Sequence, residues 1–432
     1  MPTPAMLAAK TAELTIGDCK TELPVVVGTE QEVAVDIEKL RAETGVITLD
    51  DGYRNTGSVK SDITFINGEE GILRYRGIPI EQLAENSTFI ETAMLLIFGE
   101  LPSADQFAHF RSLLSEHEMI HEAMRHSFLG FPATGHPMAI LSSMINTLSC
   151  YNTDVLEMDD EKDVENAAAR LISKIRTVAA YAYRTSQGLP LVYPEPEYSY
   201  CRNFMHLMFS SPTRQLEFDP DVLRALSLFL ILHADHEQNC STSTVRMVAS
   251  SGANLFASCA AGVCALWGPL HGGANVAVID QLQRIHHSDM SVPELMELVK
   301  QRKEKLYGFG HRVYRKYDPR AKILRQHVTK VLDKLGKPDP LLDIAKELEE
   351  VALSDDFFVS RDLYPNVDFY SGILLRAIGI PTNMYTVMFA IGRMPGWIAN
   401  WKEVREANSS IYRPRQVYTG QPKRDYVPFD QR

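Results

Sequence analysis

Hydrophobic positions change their spacing near residue 79, and the change separates a short β lead-in from a long helical body. Before it, Val25-Val26-Val27 and Val33-Ala34-Val35 are β-branched runs. Ile63-Thr64-Phe65-Ile66 and Ile72-Leu73-Arg74-Tyr75 flank Asn67-Gly68, a dipeptide that favours a tight hairpin. From Pro79 onward apolar residues recur every three or four positions. That period predicts helices over Thr88–Phe98, Asp163–Ala182, Asp221–Ala234, Gly252–Leu266, Ser291–Lys305, Ala321–Leu335 and Pro340–Leu353, with Gly99, Pro102, Gly336 and Pro338 as punctuation. Strands and helices do not alternate, so no parallel sheet is expected. The fold class is mostly α with a small N-terminal β region.

One stretch imitates a membrane span. Met247 to Ile279 holds no Asp, Glu, Lys or Arg. Ser250-Ser251-Gly252 and Gly268-Pro269 interrupt it, and the about 13 residues left between them are too few to cross a bilayer. Its Ala, Ser, Gly and Cys allow close backbone approach, so a central helix or one at a subunit interface is expected. The N-terminus lacks a basic region followed by a long apolar stretch, so no signal peptide is expected. Ser409 to Arg432 is polar and carries Pro414, Pro422 and Pro428, which suits an extended tail or an arm.

Charge sharpens the picture. A net charge of −11 disfavours nucleic acid or an acidic membrane as a general partner. Within that acidic background, His311 to Lys337 carries nine cations against two carboxylates. Such a segment is either a solvated helix face or a site for a small polyanion. Six scattered cysteines include no CxxC pair, which fits free thiols in a reducing cytoplasm.

Three short motifs concentrate the chemistry: Trp267-Gly268-Pro269-Leu270-His271-Gly272-Gly273-Ala274-Asn275, Gly308-Phe309-Gly310-His311-Arg312 and Pro365-Asn366-Val367-Asp368-Phe369. A helix beginning near Ala274 would set its positive end beside His271 and keep the imidazole neutral, as a donor for an enolate oxygen. Capping a tight turn is the plainer role. Asp368, in a proline-led apolar turn, is expected to have a raised pKa and to serve as a base near neutral pH, unless it is a cap or a paired buried carboxylate. His233 and His236 lie three apart, yet no further ligand follows at metal-site spacing, so no metal is expected and a histidine donating to a carboxylate fits better. Arg320, Arg393 and Arg413 would suit a dicarboxylate, because a guanidinium binds carboxylates bidentately.

In order and separation these motifs, with Leu232-His233-Ala234-Asp235-His236-Glu237-Gln238-Asn239 and the continuation to Tyr370-Ser371-Gly372, resemble the citrate synthases over roughly residues 49 to 418. The segment Glu69-Glu70-Gly71-Ile72-Leu73-Arg74-Tyr75-Arg76-Gly77 resembles the hexameric Gram-negative bacterial type. The resemblance implies condensation of acetyl-CoA with oxaloacetate and hydrolysis of citryl-CoA to citrate and CoA, the entry step of the tricarboxylic acid cycle. His271, His311 and Asp368 would be catalytic; His236, Arg320, Arg393 and Arg413 would hold oxaloacetate; Arg315 would meet a CoA phosphate. Arg413 would act in the partner's site of an obligatory dimer, itself part of a homohexamer. No cofactor is expected, since acetyl-CoA is a substrate.

The implied domains are a β-rich region over 1–78, a large helical domain over 79–271 and 381–432, and a small helical domain over 272–380 that closes over substrates, with Gly272-Gly273 and Gly379 as flexible points. Some hexameric relatives are allosteric and respond to NADH; Arg170 and Lys174 are compatible with that site, whereas Glu116 and Glu118 put opposing charge beside it. The nearest rival is a 2-methylcitrate synthase using propionyl-CoA. A non-catalytic sensor would need the arginines but not Asp368 with two histidines, and a metallohydrolase would need metal on His233 and His236.

Overall fold

The β-branched runs and the helical periods become two compact units in the computed structural model, which describes all residues except Met1, Glu157, Asp159, Asp289, Lys337 and Ser409. The first unit comprises Met1–Ser61 with Tyr412–Arg432, and the second Asp62–Ile411. In the first, strands β1 (Thr11–Ile16), β2 (Cys19–Val27) and β3 (Val33–Val35) form an antiparallel meander, with Ile16 opposite Cys19 and Val25 opposite Val35. Val25 to Val27 and Val33 to Val35 are the runs that the sequence marks. Lys337, the last cation of the basic segment, and Ser409, the start of the polar tail, lie outside the described residues.

The second hairpin belongs to the second unit. Strands β4 (Thr64–Asn67), β5 (Ile72–Tyr75) and β6 (Ile78–Pro79) pair antiparallel, with Asn67 opposite Ile72. Asn67-Gly68 is therefore not a two-residue turn: residues 68–71 form the loop, Gly71 has φ of +72°, and its N–H donates to the Asn67 carbonyl at 2.9 Å. Gly68 has another use. Its carbonyl accepts from Arg315 N–H at 2.9 Å, and a side chain there would collide with the Val313 carbonyl.

After a short helix over Ile80–Asn86 comes α1 (Phe89–Phe98), whose Thr88 and Glu91 make a capping box and whose end is set by Gly99 in the left-handed region. Two long helices, α2 (Pro137–Tyr151) and α3 (Glu161–Ser186), lead to α4 (Pro220–His233), α5 (Cys240–Ala249) and α6 (Leu255–Leu266). Next come α7 (Ala274–His287), α8 (Val292–Lys300), α9 (Pro319–Leu335), α10 (Pro340–Ser354), α11 (Val367–Ala377) and α12 (Tyr385–Glu406). Helix α8 ends five residues before the predicted Lys305, because Arg302 turns left-handed at φ +58° and Lys303 N–H folds back to the Leu298 carbonyl.

Helix α12 is the central rod of this unit. Trp397 and nearly every neighbour on it are buried, and α1, α3, α4, α5 and α6 pack around it. The small residues of α6 serve this packing: a side chain at Gly262 would press on Val245 and Trp397. Helices α7, α9, α10 and α11 pack mainly on one another. Among the described residues, no helix is long and apolar enough to cross a membrane.

One glycine on the rod governs the loop after α4. The Gly396 N–H donates to the Ala234 carbonyl at 3.1 Å, and a Cβ at Gly396 would run into that carbonyl and Asp235. Gly396→Ala should therefore lower stability by about 1–3 kcal/mol despite the better helix propensity of alanine. Chemical denaturation of variant and parent checks this, and an unchanged midpoint would mean that the loop yields freely.

Candidate active site

Two of the chemical motifs end up at helix N-termini and the third in a loop, and four devices fix them in place. The first device is a zipper. Gly310 N–H donates to the Tyr364 carbonyl at 2.8 Å, Asn366 N–H to the Gly308 carbonyl at 2.9 Å, and Phe309 bridges Pro365. Gly308 and Gly310 sit at φ +76° and +75°, and a Cβ on Gly308 would strike Phe369. Only glycine meets both demands at Gly308. The zipper ties the His311 loop to the start of α11.

Asp368 is not in a turn, as the sequence suggested, but in the first turn of α11. Asn366 caps that helix, accepting from Asp368 N–H at 3.0 Å and donating to the Gly310 carbonyl at 2.8 Å. Burial pushes the Asp368 carboxyl up to about 6, against the pull of Arg320 and Arg393, with Asp318 adding to the rise. Its Oδ1 is shut off from solvent and has no hydrogen-bond partner. A half-starved carboxylate of that kind is a competent proton acceptor near neutral pH.

The second device fixes the histidine protons. The His311 Nδ1 accepts the N–H groups of Val313 at 3.0 Å and Tyr314 at 3.2 Å, so the ring proton must sit on Nε2. The Ser241 N–H points at His271 Nε2 from 3.3 Å, with the Ser241 hydroxyl at 2.9 Å, which leaves Nδ1 of His271 as the donor. Burial above all lowers both imidazoles to about 4, helped by Arg393 for His271 and Arg320 for His311. Helix α7 does begin at Ala274, yet burial rather than the helix end is the main cause of neutrality at His271.

The third device is Asp318. It caps α9 and binds the Arg320 guanidinium through both oxygens, at 3.0 Å from Nε and 2.9 Å from Nη2. It also accepts the N–H of Val367, the first residue of α11, at 3.1 Å. Burial opposes the Arg320 charge, but Asp318 and Tyr314 outweigh it and raise the pKa. The sequence held a signal for this residue: Asp318-Pro319 spells a cap followed by proline at the first helical position.

The fourth device is the hairpin. Ile66 N–H donates to Glu237 at 2.8 Å, and the Tyr75 hydroxyl donates to the Asp235 carbonyl at 3.0 Å, which steadies the loop that carries His236. The His236 ring meets that of His311 edge-on at 5.3 Å, and its Nε2 lies 3.3 Å from the Tyr314 hydroxyl. Burial, then Arg320, holds His236 well below its ordinary value. Arg393 donates to the His233 carbonyl at 2.6 Å, and burial lowers it to about 10. His233 pairs its Nδ1 with the Phe229 carbonyl at 2.7 Å rather than with a carboxylate, and stacks on Phe229. Among the described residues, no cluster of three or more His, Cys, Asp or Glu could hold a metal ion.

The described groups are thus a raised carboxyl at Asp368, three neutral imidazoles at His236, His271 and His311, and two buried cations at Arg320 and Arg393. Arg315 is exposed, 3.9 Å from Asp362. Arg413 falls in the other compact unit. Arg170 is taken up by Asp154 at 2.7 Å and by Asn166, and Lys174 is buried, lowered to about 8 by burial, and donates to the carbonyls of His117 and Met119. Glu118 is paired with buried Arg176. The cations considered for NADH are therefore occupied internally.

A raised carboxyl, neutral imidazoles and buried guanidinium groups suit proton transfer at carbon beside a bound anion. Comparison narrows the class. The model of the citrate synthase C-terminal domain matches residues 52–415. Citrate synthase 1 of Mycobacterium tuberculosis is 53% identical over 425 residues, covering 98% of this chain and 99% of that protein. Citrate synthase of Corynebacterium glutamicum is 49% identical over 417 residues, covering 95% of each. Among solved structures, citrate synthase of Pyrobaculum aerophilum aligns with a TM-score of 0.81 at 34% identity, covering 97% of this chain and all of its own. A ternary complex of the Thermoplasma acidophilum enzyme with carboxymethyl coenzyme A and oxaloacetate gives 0.82 at 30% identity over 89% of this chain and 100% of its own.

The chain belongs to the citrate synthase family. It is an acyltransferase of the kind that turns an acyl group into an alkyl group on transfer. The two bacterial relatives named above are Gram-positive, so the Gram-negative likeness in the β lead-in finds no support among them.

Asp368 gives a test that needs no substrate. Its pKa is raised on folding, so its protonated form stabilises the fold below the unfolded value near 4, and that stability is lost as pH rises through about 6. Asp368→Asn should therefore be more stable than the parent at pH 8, by up to about 3 kcal/mol. The gap should shrink on acidification through pH 6. Denaturation curves at pH 8 and pH 5 check both sign and trend.

Proposed function

We propose that Asp368 removes a proton from the methyl group of acetyl-CoA while His271 donates from Nδ1 to the thioester oxygen. The observation that carries this reading is a solvent-shielded Asp368 oxygen without a partner, together with a neutral His271 whose free nitrogen is a donor. A carbon acid lies many pK units above a carboxylic acid, at about 1.36 kcal/mol each, so the base alone cannot drive the step. The fixed donor must carry most of it by stabilising the enol oxygen.

His311, donating from Nε2, polarises the ketone of oxaloacetate. The enol carbon then bonds to that ketone carbon, whose oxygen takes a proton and becomes the hydroxyl of citryl-CoA. Water cleaves the thioester to give citrate and free CoA, the entry step of the tricarboxylic acid cycle. His236, Arg320 and Arg393 hold the oxaloacetate carboxylates from this chain, Arg413 completes the site of a partner subunit, and Arg315 meets a CoA phosphate. The relatives' names support acetyl-CoA over the propionyl-CoA of a 2-methylcitrate synthase.

Residues 272–380 act as the small domain that closes on substrates and keeps water from the enol. Gly379, at φ +87° with open space around it, is the freer flexible point; Gly272 is packed against Leu266 and Thr386. We assign a dimer within a homohexamer, allosteric control, and a reducing cytoplasm suited to six free thiols.

Thiol release followed with acetyl-CoA or propionyl-CoA tests the activity: it should require oxaloacetate and favour acetyl-CoA. Asp368→Asn should reduce turnover by at least about 10³-fold while oxaloacetate still binds; normal turnover would remove Asp368 from the chemistry. Arg413 is tested by mixing. Inactive Asp368→Asn and Arg413→Ala chains, unfolded and reassociated together, should recover about a quarter of the parent activity, since half of random dimers would hold one intact site. No recovery would mean that Arg413 serves its own chain.

A further inference from the structure

Tyr314 takes no part in the proposed reaction, yet it is built into the site. It is only 1% exposed. Its ring meets that of His311 at 4.9 Å and that of His236 at 5.6 Å, and the Arg320 guanidinium lies 5.9 Å from its centre. Its N–H is one of the two that hold Nδ1 of His311, and its hydroxyl lies 3.3 Å from Nε2 of His236. One residue thus touches the ring nitrogens of two histidines, one through its backbone and the other through its side chain.

The two contacts differ in what depends on them. Backbone N–H groups fix the ring protons of His271 and His311. Among the described residues no backbone N–H reaches the ring of His236, whose hydrogen-bond partner is the Tyr314 hydroxyl. Nδ1 of His236 makes no hydrogen bond to a described residue. A neutral imidazole carries its proton on either nitrogen, so this one contact decides which.

The surroundings set the direction of the hydroxyl. Burial raises the Tyr314 hydroxyl far above the ordinary phenol range, so the proton stays on oxygen, and burial likewise keeps His236 neutral. The hydroxyl has no other acceptor among the described residues. A buried O–H without an acceptor is costly, and the bare nitrogen of a neutral imidazole is the acceptor at hand. The Arg320 charge favours negative charge on the phenol oxygen and so strengthens it as a donor.

We infer that the Tyr314 hydroxyl donates to His236 Nε2 and so makes Nδ1–H the donor that His236 offers to an oxaloacetate oxygen. Tyr314 is then a positioning residue for the ketoacid, acting through His236. The inference rests on the assignment of His236 to oxaloacetate. Without the hydroxyl the ring proton is free to move to Nε2, and a lone pair on Nδ1 then meets the substrate carboxylate.

Nitrogen NMR of the full-length protein labelled with 15N-histidine tests it, with His236→Asn identifying the His236 signals. The parent should show a protonated Nδ1 and a bare Nε2 at His236. In Tyr314→Phe the His236 proton should divide between the two nitrogens, while His311, still held by the same backbone N–H groups, should keep its proton on Nε2. Loss of local structure would disturb both rings, so the contrast separates positioning from folding. Oxaloacetate binding, read by calorimetry without acetyl-CoA, should weaken about tenfold in Tyr314→Phe, with KM for acetyl-CoA at saturating oxaloacetate unchanged. A proton on Nε2 of His236 in the parent, or parent-like oxaloacetate affinity in Tyr314→Phe, overturns the inference. If His236→Asn also binds oxaloacetate like the parent, the assignment of His236 to the substrate falls with it.

Discussion

The site depends first on a buried ion pair that also holds two helices. Asp318 grips Arg320 through both oxygens, caps α9, and takes the first N–H of α11. A buried guanidinium is expensive unless paired and hydrogen-bonded, and here its partner is saturated with donors. The same carboxylate that makes Arg320 tolerable inside the protein therefore sets where α11 begins, and Asp368 with it. Removing Asp318 would strand a cation and unseat the base together.

Against this fixed charge the remaining groups are tuned in opposite directions. Burial makes His236, His271 and His311 poor bases and makes Asp368 a better one. The arginines moderate the rise at Asp368, so its carboxyl stops near 6 rather than becoming a permanent acid. One low-dielectric setting thus yields neutral donors and a usable base at the same pH, without any of them changing charge to bind a dianion.

Much of this was legible in the residues. The histidine, glycine and aspartate motifs gave the chemistry, and the period after Pro79 gave the helical body. What was not legible depends on partners distant in the chain. Ring protons on His271 and His311 are set by the N–H groups of Ser241, Val313 and Tyr314, which no spacing announces. Asp368 lies in a helix because Asn366 caps it, although Pro365 reads as a turn. Asn67-Gly68 gave the hairpin but not its four-residue loop, since Gly68 is claimed by the Val313–Arg315 segment.

The zipper between residues 308–310 and 364–366 has a consequence for timing. It ties the His311 loop to the start of the helix that carries Asp368, so the two side chains share one support. His271 precedes Gly272 and is fastened instead to Ser241 on α5. On the proposed closure of residues 272–380 as one body, the enol would be made only when His271 comes opposite Asp368. The separate anchors of those two groups would then work as a safety catch: on that proposal the reactive carbon is created only once its target is in place.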